Sequence, residues 1–158
     1  MRLRRTPRPD IHASDPADRR AAIEAAAVGH NALRRIVTHD PDRGVRCAAI
    51  RRLRDLIILR QVCEAEGDEV VRDAARVRYR QLLAGGDTLD LDYRHAALGA
   101  CSDAQIIAHV ARSAREPSLR VAALGLIDER GLLEEICRHD RDADVRAAAA
   151  DRLASFRN

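Results

Sequence analysis

The feature that most limits what this chain can fold into is a recurring phrase, Arg-x-Ala-Ala, at Arg19, Arg46, Arg72, Arg94, Arg120 and Arg146, spaced 27, 26, 22, 26 and 26 residues apart. Four residues before each arginine stands an acid: Asp15, Asp42, Asp68, Asp90, Glu116 and Asp142. A carboxylate there caps a helix, because it accepts a bond from a first-turn N–H that has no other partner and faces the positive end of the helix dipole. Pro16 and Pro117 directly follow their acids, at the first helical position, where a missing N–H is tolerated. The residue before the arginine is Val45, Val71, Tyr93, Leu119 or Val145, with Asp18 as the exception. Apolar residues at +2, +3 and +7, such as Ala48, Ala49 and Leu53, extend the stripe at helical period. Each phrase therefore opens an amphipathic helix, here called an A helix.

In four units a second apolar run follows a short polar turn: "NALRRIVTH", "LIILRQVCEA", "AQIIAHVARSA" and "LLEEICRH". These are B helices. After "RDAARVRYRQLL" only "AGGDTL" precedes the next cap at Asp90, and after "RAAAADRLASF" the sequence stops, so units 3 and 6 have no room for one. The expectation is a duplication, helices A-B-A-B-A on each side of a glycine-marked seam. Residues 1–13 form a basic N-terminal arm, 14–84 the first half, 85–89 the seam and 90–158 the second half. Helical pairs of about 26 residues cannot bury an apolar stripe alone, so they stack, which predicts an all-α fold, a right-handed α-solenoid of short repeats. With no Trp, and only Tyr79, Tyr93 and Phe156 as aromatics, the core has to be Ala, Leu, Ile and Val, which favours closely spaced helices. A chain of 158 residues reaches a core of useful size without staples.

The phrase "DxxVRxAAxxRL" with a short second helix resembles a HEAT-type repeat of the short, armadillo-like bacterial variety. The succession "VRCAAIRRLRDLIILRQV", "VVRDAARVRYRQLLAGG", "RHAALGACSDAQIIAHVA" and "LRVAALGLIDERGLLEEICRHD" is similar to the N-terminal repeat region of larger bacterial proteins that continue into a helical domain of unknown function. The resemblance spans about residues 14–158. It implies a protein-binding scaffold and brings no catalytic residues with it. Some HEAT-type proteins are enzymes, and their requirements can be checked. The di-iron hydroxylase type needs His-Glu pairs, and none of His12, His30, His39, His95, His109 and His139 is followed by Glu. The alkylpurine DNA glycosylase type holds a base against aromatics beside a catalytic carboxylate, and a chain with no Trp and two Tyr is poorly supplied for it.

Other chemistry finds little purchase. Cys47, Cys63, Cys101 and Cys137 show no CxxC pairing. Cys63 and Cys137 each lie 17 residues after a motif arginine, and three repeats of roughly 9 Å would hold them on the order of 27 Å apart, beyond disulfide or shared-metal reach. They are expected to be small core residues. Gly85-Gly86 lacks the Lys and Ser/Thr of a phosphate loop. No catalytic set, cofactor or metal site is expected. The six motif arginines are assigned a structural role, an Arg–Asp ladder tying successive turns together.

Charge supplies the remaining clue. All 28 basic residues are Arg, which suggests a GC-rich genome. Residues 1–60 hold 14 Arg against 7 acids and residues 61–158 hold 14 against 18, so the first part is +7 and the rest −4. No apolar run follows the arginines of "MRLRRTPRPDIHAS", and no stretch of about 18 uncharged apolar residues exists, so a cytoplasmic location away from membranes is expected. The leading expectation is a non-enzymatic scaffold that binds a protein or peptide on a concave face lined by B helices. Its contact residues would be Arg34, Arg35, Arg60, Gln61, Gln105, Glu134 and Arg138. The alternative is an anion-binding module, for nucleic acid or an acidic protein. It would use the arm (Arg2, Arg4, Arg5, Arg8) and the clusters Arg34, Arg35 and Arg51, Arg52, Arg54, Arg60, and its binding would fall steeply with salt.

Overall fold

The structure, a computed structural model, describes residues 10–25, 28–85 and 87–156. The arginines of the basic arm, Arg2 to Arg8, lie outside the described residues. Among the described residues there are ten helices and no strand. The first five are α1 (Pro16–Ala25), α2 (His30–His39), α3 (Arg43–Arg52), α4 (Leu56–Ala65) and α5 (Glu69–Leu83). The second five are α6 (Leu91–Gly99), α7 (Ala104–Ser113), α8 (Pro117–Leu124), α9 (Arg130–His139) and α10 (Ala143–Ser155). In the notation above, α2, α4, α7 and α9 are B helices and the other six are A helices, with α5 followed directly by α6. The chain divides into two compact units, Met1–Arg78 and Tyr79–Asn158, and the division falls inside α5. The 85–89 segment read as a seam connects α5 to α6.

The A helices begin at the expected acids. Asp42, Asp68, Asp90 and Asp142 accept first-turn bonds from the backbone of Val45, Val71, Tyr93 and Val145, and Asp15 accepts one from Ala17. Glu116 is the departure: it stands at the N-cap of α8, but its side chain makes no capping bond. The B helices use the same device where an aspartate is present, Asp55 on Ile58 and Asp103 on Gln105 and Ile106.

The buried stripe differs from the expected one. At about 100° per residue, positions −1, +3, +4 and +7 form one continuous arc, whereas +2 lies about 60° beyond its edge. Five of the six +3 alanines, Ala22, Ala49, Ala75, Ala123 and Ala149, are at most 1% exposed and Ala97 is half-buried, while of the +2 alanines only Ala48 is fully buried among the described residues. Position +4 takes the larger side chains Ile23, Ile50, Leu98 and Leu124. A small residue at +3 lets one A helix approach the next, and α1 packs on α3 as α6 packs on α8 and α8 on α10. Each B helix with described contacts lies against the A helix that follows it: α2 on α3, α7 on α8 and α9 on α10.

The motif arginine sits at 0° in that same arc, so it is carried inward with the apolar residues, and Arg94 and Arg120 are buried. A buried guanidinium needs partners for its donors. Arg19, Arg46, Arg72, Arg120 and Arg146 each donate to a carbonyl six residues back, those of Ala13, Asp40, Glu66, Ala114 and Asp140. Four of the residues whose carbonyls accept these bonds, Asp40, Glu66, Ala114 and Asp140, are C-caps of B helices, so the guanidinium meets the negative end of the B-helix dipole. Where the C-cap residue is acidic, its carboxylate takes the arginine of the preceding A helix. Arg19 forks onto Asp40 with both bonds at 2.9 Å, Arg120 forks onto Asp140 at 2.9 and 3.0 Å, and Arg46 lies 3.5 Å from Glu66. The ladder therefore runs to an acid 20 or 21 residues ahead, and the acid four residues back is left free to cap. Burial pushes the Asp40 and Asp140 carboxyls up, but bonds from their arginines and from the N–H two residues on outweigh it and hold both below the usual carboxylate range.

Arg94 shows what happens when this register lacks an acid. The C-cap ahead of it is Ala114, so Arg94 turns to Glu116 and to the carbonyl of Leu83. That recruits Glu116 away from the α8 N-terminus and explains its missing cap. A second set of arginines at +6 went unread in the sequence: Arg52, Arg78 and Arg152 donate back to the carbonyls of Ile23, Leu53 and Ile127. Position +6 borders the −1 edge of the buried arc, which is the signal that would have found them.

Candidate interaction surface

Apart from the exposed Ile57 of α4, the large outward residues of the B helices are polar or charged, and most of their charges are spent on neighbours. In the second unit Arg112 of α7 pairs with Glu135 of α9 at 3.1 Å, while Arg130 and Arg138 both pair with Glu134 along α9. The bonds from Arg112 and Arg130 hold the Glu135 and Glu134 carboxyls below the usual range. In the first unit Arg60 pairs with Glu64 on its own helix, and Arg34 stands 3.4 Å from the α4 cap Asp55.

Arg35 is different. It is exposed, and its guanidinium makes no hydrogen bond or ion pair among the described residues. It also borders two hollows in the first unit. One is a cleft of about 410 Å³ between the turn at residues 11–13 and α2. The other, of about 320 Å³, lies at Arg34, Arg35, Thr38 and Ile58, where α2 meets α4. A third hollow of about 240 Å³ shares Thr38 and Ile58 with the second and continues along the α2–α4 groove past Val37, Gln61 and Val62. The groove has an apolar floor because Val37, Ile58 and Val62, spaced to face the core, are the residues at the bottom of the joint between the two helices.

The residues expected to touch a partner are thus placed unevenly. Arg34, Arg35 and Gln61 come together on the α2–α4 groove. Arg60, Glu134 and Arg138 are held in local ion pairs, and Gln105 is an exposed residue in the first turn of α7. Of the cysteines, Cys47 and Cys101 are buried, whereas Cys63 and Cys137, expected in the core, are half-buried, and all four are free thiols. Their register, 17 residues after the arginine, falls late in the B helix, beside its outward residues.

Among the described residues there is no group of three or more His, Cys, Asp or Glu side chains placed to hold a metal ion, and no helix long and apolar enough to cross a membrane. No protein-family model, curated protein or solved structure matches the chain.

Proposed function

We infer that the protein is a non-enzymatic, cytoplasmic scaffold of HEAT-type repeats stacked as a right-handed α-solenoid, and that it binds a protein or peptide segment along its B helices. The repeating connection from arginine to B-helix C-cap supports the stacking, since it recurs with the period of the sequence phrase. The observation that carries the binding reading is the α2–α4 groove, an apolar floor open to solvent with the uncompensated Arg35 at one end. A segment with an apolar residue near an acidic one fits it, the apolar side chain over Ile58 and Val62 and the carboxylate on the guanidinium.

Selection from a random displayed-peptide library tests this, followed by fluorescence anisotropy of the selected peptides. Enrichment of acidic-plus-apolar sequences is expected, with binding weakened by Thr38→Glu and by Gln61→Glu, two exposed positions whose substitution leaves the core intact. Peptide binding unchanged by both substitutions would overturn the groove. Salt-steep binding of duplex or single-stranded nucleic acid, indifferent to Gln61→Glu, would favour an anion-binding module built on the basic first 60 residues.

A further inference from the structure

The cleft between the 11–13 turn and α2 is not needed by a peptide lying along the α2–α4 groove, and its chemistry is unlike that of the groove. Its floor is the pair Arg19–Asp40. That pair is closed on itself: Arg19 spends Nε and Nη2 on the Asp40 carboxylate and Nη1 on the carbonyls of Ala13 and Ser14. Asp40 is held as an anion, so the floor adds no net charge. Apolar side chains line the walls, Ile11 from the turn and Ile36 from α2, and both are only half-buried. At the rim stand Arg35, without an ionic partner among the described residues, and the imidazoles of His12 and His39. His39 Nδ1 lies 2.6 Å from Thr38 Oγ1, and its Nε2 makes no hydrogen bond among the described residues.

The cleft therefore offers one permanent positive charge with a planar two-bond face, two further imidazole edges, and apolar walls within a volume of about 410 Å³, in the range of small-molecule sites. We propose that this cleft is a binding site for a small organic monocarboxylate with a branched apolar body. The carboxylate sits on the Arg35 guanidinium and the apolar body covers Ile11 and Ile36. A carboxylate is preferred to a phosphate monoester because a guanidinium balances one charge, whereas a phosphate brings about 1.5 to 2. This site is separate from the peptide groove, although Arg35 borders both.

The test is an NMR titration of the full chain with four probes: N-acetyl-leucine, its neutral counterpart N-acetyl-leucinamide, phenyl phosphate and inorganic phosphate. N-acetyl-leucine is expected to give saturable shifts confined to the backbone signals of residues 11–13 and 32–40, and the neutral amide to give none. Arg35→Ala, at an exposed position, is expected to weaken N-acetyl-leucine by about tenfold or more with the spectrum otherwise retained. Ala32→Glu, which adds a carboxylate to the wall, is expected to abolish binding while the chain stays folded. Equal binding of acid and amide, shifts centred elsewhere, or an unchanged affinity in Arg35→Ala would overturn the site. Tighter binding of either phosphate would overturn the monocarboxylate assignment. Gln61→Glu separates the two readings, since it disturbs the groove and lies outside the cleft lining.

Discussion

Removing the guanidinium of Arg120 while keeping its bulk should expose how much of the second unit depends on one buried guanidinium. Arg120→Met retains the apolar stem and deletes the fork onto Asp140, whose bonds measure 2.9 and 3.0 Å, together with the bond to the Ala114 carbonyl. The two side chains are 1% and 6% exposed, so water cannot replace the lost partner, and Asp140 keeps only its bond from the backbone N–H of Asp142. Stranding one member of a buried pair costs about 3–5 kcal/mol. The exposed pair Arg112–Glu135, at 45% and 51%, supplies the internal control, where Arg112→Met should cost about 0.2–1 kcal/mol. Urea unfolding followed by circular dichroism reads both as midpoint shifts at constant slope. Adding Asp140→Asn to Arg120→Met removes the stranded charge but keeps an acceptor for the Asp142 N–H, and should restore about 2 kcal/mol.

The same pair fixes a pH signature. With Arg120 in place the folded Asp140 carboxyl titrates below its ordinary value, so its stabilisation is full above about pH 5 and fades as pH falls through the unfolded value of about 3.9 and below. In Arg120→Met the largest remaining influence is burial, which pushes the carboxyl up, and protonation then relieves the strain as pH falls. The stability gap between wild type and Arg120→Met should therefore narrow from pH 7 to pH 4. A cost for Arg120→Met no larger than for Arg112→Met, or a gap that widens on acidification, would refute the reasoning.

Glu116→Gln should destabilise by about 1.5–3 kcal/mol, because Arg94, which is 2% exposed, keeps the Leu83 carbonyl but loses its charged partner, and a thermal melt reads it; the Arg94 bond holds the Glu116 carboxyl below its usual range, so the loss should shrink below about pH 4. Asp142→Ala should cost about 1 kcal/mol, since its carboxylate caps α10 and has no arginine to strand; hydrogen exchange in the first turn of α10 would localise the loss. Gly85 has φ of +96° and an added Cβ would meet Arg94 Nη2 at 3.1 Å and Arg115 Cβ at 3.2 Å. Gly85→Ala is accordingly expected to cost about 1–3 kcal/mol in the same melts, and a neutral result would show that the backbone relaxes there.

The sequence by itself determined where the A helices begin, because a cap is a contact between residues two or three apart and needs nothing from the rest of the fold. It determined the alternation of A and B helices for the same reason, through the apolar period and the length left between caps. The position of the buried arc was also present in the letters, since helix geometry alone sets +3 and +4 inward and +2 aside, and the arginine at its centre follows. What only the tertiary structure decided is which acid each arginine meets. Asp15 and Asp40 both offer a carboxylate, but Arg19 points along the packed face toward the end of α2, so the partner lies 21 residues away. Ala114 in the place of an acid then sends Arg94 to Glu116, at the expense of a cap that local rules alone would assign. The isolation of Arg35 is likewise a tertiary fact, because Arg34, its neighbour in the chain, happens to face Asp55 across the joint between α2 and α4. Local hydrogen bonds are written in spacing, whereas long-range pairing depends on which helix ends the packing of small alanines brings within reach.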